Sequence, residues 1–154
     1  MIIRFAVKNE LSELPRLFEQ IVRLGKDNHL SDEVVFDLNL ALEEVISNII
    51  RHGYDTQGDR QIHLSIRLEG EEITLQVEDD ARPFNPLDHP DPETRSPIDG
   101  RQVGGLGIFL VRQLMDGVAY RREEGRNVLV MKKRIRRSPS ETSSPDQDKG
   151  RAGL

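Results

Sequence analysis

Three stretches of this chain hold the residue types that chemistry at a phosphate would need. In ALEEVISNIIRHGYD, Glu44 and Asn48 stand at i and i+4, so on a helix they share one face, and His52 extends the row. A carboxylate there can take a proton from a hydroxyl nucleophile, and an amide beside it can ligate a magnesium ion bridging phosphates. In VEDDARPFNP, Asp79 closes an apolar run. A buried carboxylate at that point would accept a hydrogen bond from an exocyclic amine, which discriminates adenine from guanine. In GGLGIFLVRQLMD, Gly104, Gly105 and Gly107 lead into an apolar, helix-like segment. Glycines opening a helix leave its first N–H groups facing open space, and those donors with the helix dipole suit a phosphate.

Taken singly, each stretch also has an ordinary structural explanation. A Glu/Asn pair can be a solvated helix face, an aspartate can simply end a strand because Asp favours turns, and glycines can be a flexible entry to a helix. The glycine spacing matches neither the P-loop, since no Lys-Ser/Thr follows, nor the dinucleotide fingerprint, since no strand directly precedes it.

The elements that must position these residues follow from the apolar pattern. Ile2 to Val7 predicts a short strand, and Ser12 with Pro15 in the first turn predicts the start of a helix that stops at Gly25. Ser31, followed by Asp32 and Glu33, predicts a second helix whose stripe Leu38, Leu42, Val45, Ile46 and Ile49 ends near Gly53. QIHLSIRLEG and ITLQVED alternate as two antiparallel strands turning at Glu69 to Glu72, with Ile62, Leu64, Ile66, Leu68, Ile73, Leu75 and Val77 facing the core. Five prolines between Asp80 and Val103 forbid a long helix or a central strand and leave a long loop, which in a compact domain is often a functional lid. A third helix then runs from the glycines to near Asp116, and Gly117–Arg122 and Asn127–Arg134 form a closing hairpin. Residues 138–154 lack core residues and read as a disordered tail behind a domain at 1–137. The expected fold is an α+β two-layer sandwich, about three helices on one face of a mixed, mostly antiparallel sheet of about five strands.

Composition narrows the class of function. The 154 residues are 36% hydrophobic and 32% charged, enough for one core, and the formal net charge of -5 argues against direct nucleic-acid binding. With no cysteine there is no disulfide framework or thiolate chemistry, and no apolar run is long enough to span a membrane. A cytoplasmic location without membrane attachment is the expectation.

The three motifs in this order, with these elements between them, resemble the GHKL ATPase superfamily of gyrase-type ATPases, Hsp90, histidine kinases and MutL proteins. More closely, the chain resembles the bacterial anti-sigma factor serine/threonine kinases, from about residue 2 to residue 135. The resemblance implies ATP and Mg²⁺, with Glu44 as general base, Asn48 as the magnesium ligand and Asp79 as the acceptor for the adenine amino group. It places His52, Ala81, Gly104, Gly105, Leu106 and Gly107 around the nucleotide, with the Asp80–Val103 loop as its lid. It further implies an anti-sigma-factor antagonist protein as substrate, a sigma factor as the other partner, and a homodimer. An alternative is an ATP-dependent protein-binding module with little or no kinase activity. The family commonly has glycine where this chain has Ala81, and the added methyl and its resistance to positive φ bear on nucleotide affinity.

Overall fold

In the computed structural model, which describes residues 1–88 and 105–135, the alternation of strands and helices follows the apolar pattern closely. The elements are β1 (Ile2–Lys8), α1 (Leu14–Asp27), α2 (Asp32–Asn48), β2 (Gln61–Glu69), β3 (Glu72–Asp79), α3 (Gly105–Leu114), β4 (Gly117–Glu123) and β5 (Arg126–Arg134). The five strands form one sheet in the order β1-β2-β3-β5-β4. Every one of its pairs is antiparallel, so among the described residues the expected mixed sheet contains no parallel pair.

One face of that sheet is apolar and carries the helices. Ile62, Leu64 and Ile66 of β2 and Ile73, Leu75 and Val77 of β3 are buried with Leu17 and Ile21 of α1, Leu38, Leu42 and Ile46 of α2, and Ile108 and Val111 of α3. Each such side chain contributes about 1.5–3 kcal/mol through removal from water. Residues on the opposite parity, such as Arg67, Glu72, Arg121 and Lys132, stay exposed on the other face.

The helix signals were correct at one end and misleading at the other. Ser31 caps α2 as expected, its Oγ accepting from the Val34 N–H at 3.3 Å, with Asp32 and Glu33 in the first turn. Ser12 does not cap α1, because Leu11–Glu13 forms a separate 3₁₀ turn and Glu13 takes the cap position without a side-chain bond. Gly25 does not end α1 either. It is buried within the helix because Val35 of α2 packs onto it, and a Cβ there would collide with the Val35 Cγ2 methyl. Termination comes at Asn28, whose Nδ2 donates to the Leu24 carbonyl at 2.9 Å, and at His29 with φ 55°.

The two hairpins turn where expected, the second through Glu124 and Gly125, both at positive φ as a tight hairpin turn requires. α3 is held at its far end by Lys133, whose Nζ donates to the Leu114 carbonyl at 2.6 Å and pairs with Asp37 Oδ2 of α2 at 3.0 Å. Both partners of that ion pair are largely buried, so it ties α2, α3 and β5 together near the sheet edge. Among the described residues no helix is long and apolar enough to cross a membrane. The part of the expected lid beyond Asp88, Gly104 and the expected 138–154 tail lie outside the described residues.

Candidate functional site

Glu44 and Asn48 lie near the C-terminal end of α2, on the side turned toward α3 rather than toward the sheet. Gly107, in the first turn of α3, is what lets the two helices approach. A Cβ at Gly107 would overlap Glu44 Oε2 and stand 3.6 Å from Asn48 Nδ2. Two stretches separated by more than fifty residues therefore meet at one point. The carboxylate and amide sit beside the first turn of a helix, where N–H groups lack intrahelical acceptors and the dipole favours an anion.

Beyond Asn48, the helix widens into a π turn over Ile49–Gly53. That turn changes the residue spacing, so the Glu44–Asn48 row does not continue at helical register to His52, which is exposed. Of the sequence-predicted group on this side, Glu44, Asn48 and Gly107 are brought together. Gly105 and Leu106 open α3.

The second half of the site is built around Asp79, only 3% exposed at the end of β3. Its Oδ1 accepts from Asn127 Nδ2 at 2.9 Å and from the Ala81 N–H at 3.0 Å. Among the described residues its Oδ2 takes no hydrogen bond, which leaves an open acceptor on a buried carboxyl. Burial pushes the Asp79 carboxyl above its ordinary pKa, opposed by the hydrogen bonds from Asn127 and Ala81 and by the Arg122 charge.

Neither its type nor its spacing marks Asn127 in the sequence, yet it is the centre of this half. Its Oδ1 accepts from the Tyr120 hydroxyl at 2.6 Å, Arg122 Nη1 at 3.0 Å and the Phe84 N–H at 3.3 Å. Its Nδ2 reaches Asp79 and the Arg82 carbonyl, the latter at 3.0 Å. Three donors on one side and acceptors on the other fix the amide orientation. The signal available in the sequence was parity: Asn127 alternates with the inward Leu129 and Met131, so an amide faces the helix layer.

Ala81 fits where the family pattern has glycine. Its φ is not positive, and its methyl rests against Gly53, where a Cβ would come within 2.7 Å of it. A glycine closing the π turn after α2 thus provides the room that the alanine needs. Ala81 is itself 4% exposed, and its carbonyl accepts from Arg122 Nη1 at 2.9 Å. The chain leaving this point is pinned at Leu87, whose carbonyl accepts from Arg112 Nη2 of α3 at 2.8 Å. Arg82 pairs with the exposed Asp55 at 2.6 Å.

The arrangement offers a carboxylate acceptor, Asp79, at one end and a carboxylate and an amide beside the first turn of α3 at the other. The two ends meet where Gly53 touches Ala81. Residues 7–133 match the histidine kinase-like ATPase domain family. Over 96 residues the chain is 30% identical to the serine/threonine-protein kinase BtrW of Bordetella bronchiseptica, spanning 62% of this chain and 68% of that protein. Over 112 residues it is 30% identical to the serine-protein kinase RsbW of Listeria innocua, spanning 66% and 68%. A solved structure of RsbU and RsbW domains from Mycobacterium tuberculosis superposes with a TM-score of 0.64 at 14% identity, covering 90% of this chain and 33% of that one, a likeness of fold. The chain therefore belongs to the histidine kinase-like ATPase family, among relatives that are serine/threonine-protein kinases.

Proposed function

We propose that this protein transfers the γ-phosphoryl group of ATP to a serine or threonine of a partner protein, with Glu44 as the general base. The observation that carries the reading is the backing of Gly107 against Glu44 and Asn48, which sets a proton acceptor beside the start of α3. Asp79 supports it from the other end, because its Oδ2 is the acceptor that the adenine amino group needs. His52, Ala81, Gly104, Gly105 and Leu106 complete the proposed nucleotide surroundings.

The donor set also fits a magnesium ion held by Asn48. Among the described residues no group of three or more His, Cys, Asp or Glu side chains is placed for a metal, so the remaining oxygens would come from phosphates and water, as Mg²⁺ commonly takes them. When bound, the ion neutralises charge on the β- and γ-phosphates. The protein's own part is orientation and proton transfer. The backbone N–H groups at the start of α3 position the γ-phosphoryl, and Asp79 fixes the base. Glu44 takes the proton of the incoming hydroxyl as its oxygen bonds to the γ-phosphorus, and the bond from that phosphorus to the β–γ bridging oxygen breaks, releasing ADP.

The RsbW relatives suggest a partner of the anti-sigma-factor antagonist type, with a sigma factor as the competing partner, in the cytoplasm and with this protein as a homodimer. Phosphorylation would place negative charge on the antagonist's docking surface and release this protein to hold the sigma factor. Glu44→Ala tests the assignment, read by calorimetry with Mg-ATP and by intact mass of a candidate antagonist incubated with ATP. The expected result is retained nucleotide binding with transfer slowed about 10²- to 10⁴-fold, the usual loss for a general base. Equal loss of binding and transfer would remove Glu44 from that role. A wild type that binds ATP and the antagonist yet leaves it unmodified would make the protein an ATP-dependent binding module instead.

A further inference from the structure

The chain leaving α2 and the chain leaving β3 run against each other over three residues apiece. Besides the contact of Gly53 with Ala81, the Arg82 N–H donates to the Gly53 carbonyl at 3.3 Å and the Tyr54 hydroxyl donates to Asp80 Oδ1 at 2.7 Å. Arg60, just before β2, holds the other oxygen of Asp80 at 3.1 Å. One segment continues directly from Glu44 and Asn48, the other directly from Asp79. The clasp therefore joins the phosphate end of the site to its base end.

Within this clasp the members are not equal. The Arg82–Asp55 pair is open to solvent on both sides, and such pairs contribute little. Tyr54 packs its ring against the core, and burial first and the Asp80 hydrogen bond second hold its hydroxyl protonated as a donor. It is the only side chain of the Gly53–Asp55 segment that both rests on the core and reaches across to the other segment.

We propose that Tyr54 is a positioning residue which, through Asp80, sets the separation between the base-reading and phosphate-holding halves of the nucleotide site. This rests on the nucleotide reading above. A ligand touching both halves gains from their fixed spacing as a bivalent ligand gains from effective concentration, whereas a ligand touching one half does not. Loosening the clasp then weakens Mg-ATP and leaves adenosine unaffected. A general loss of fold would weaken both.

The test is calorimetric titration of adenosine and of Mg-ATP into the full chain, as wild type, Tyr54→Phe and Asp80→Asn, with thermal melts of each. Tyr54→Phe is expected to keep adenosine affinity within about twofold and to lower Mg-ATP affinity about three- to tenfold, the effect of one hydrogen bond. Asp80→Asn keeps an oxygen for the tyrosine and should retain the wild-type ratio of the two affinities. An unchanged ratio in Tyr54→Phe, equal loss of both ligands, or an Asp80→Asn loss as large as that of Tyr54→Phe would each overturn the proposal. Failure of the wild type to bind either ligand would overturn the nucleotide reading, and the clasp with it.

Discussion

Asp79→Asn exchanges the carboxylate oxygen that takes no hydrogen bond among the described residues for an NH₂ group and leaves the rest of the side chain in place. Among the described residues both bonds to Asp79, from Asn127 Nδ2 and the Ala81 N–H, fall on Oδ1, so an amide oxygen at that position keeps both. Stability should therefore survive, and the charge works in the same direction. Burial raises the Asp79 pKa in the folded chain, so the folded state binds that proton more tightly than the unfolded state does. Wild-type stability then falls as pH rises through the window between the ordinary carboxyl value and the raised one, and stays lowered above it. Asparagine carries no such penalty. At neutral pH the variant should melt no lower than wild type, and any advantage should shrink as pH falls through that window.

Recognition should behave in the opposite way. The loss of a charged acceptor for the adenine amine costs about 1.5–3 kcal/mol, or about 10- to 150-fold in Kd, and the new NH₂ group faces another donor. An analogue with an oxygen at the purine 6-position offers that NH₂ an acceptor, so Mg-ITP should lose less affinity than Mg-ATP, or gain. Calorimetry with both nucleotides, beside melting curves at neutral and acid pH, reads the two effects separately. A variant that binds Mg-ATP as tightly as wild type would remove Asp79 from base recognition. A markedly lower melting temperature at neutral pH would refute the claim that Oδ1 alone carries the structural bonds.

Two further substitutions probe the same geometry. Gly107→Ala drives a methyl into Glu44 Oε2, so phosphoryl transfer should fall sharply and stability by about 1–3 kcal/mol, the range for overpacking; a fully active, equally stable variant would deny that the helices approach at this point. Asn127→Ala strips Asp79, Tyr120, Arg122 and the Arg82 carbonyl of a shared partner; denaturant unfolding should show a loss of at least about 1–3 kcal/mol, and a loss below that would mean water replaces the amide.

What the sequence by itself determined is local. Ser31 with Asp32 and Glu33 starts α2 because a cap and a first turn involve residues a few positions apart. The period of two in β2 and β3 marks their buried face and the turn at Glu69 to Glu72 between them, since each depends on near neighbours. The row of Glu44 and Asn48 and the termination of β3 at Asp79 were legible for the same reason.

The tertiary structure decided whatever depends on an approach between distant segments. Gly25 reads locally as a helix stop, and only the packing of Val35 against it shows why it lies inside α1. Asn127 looks like the first polar residue of a strand until the β3–β5 register sets it opposite Asp79. Ala81 looks like a damaged motif until Gly53 is found against its methyl. Periodicity reports which way a side chain points, but not what it meets. The partner is fixed by sheet order and helix packing, which no short window of sequence contains.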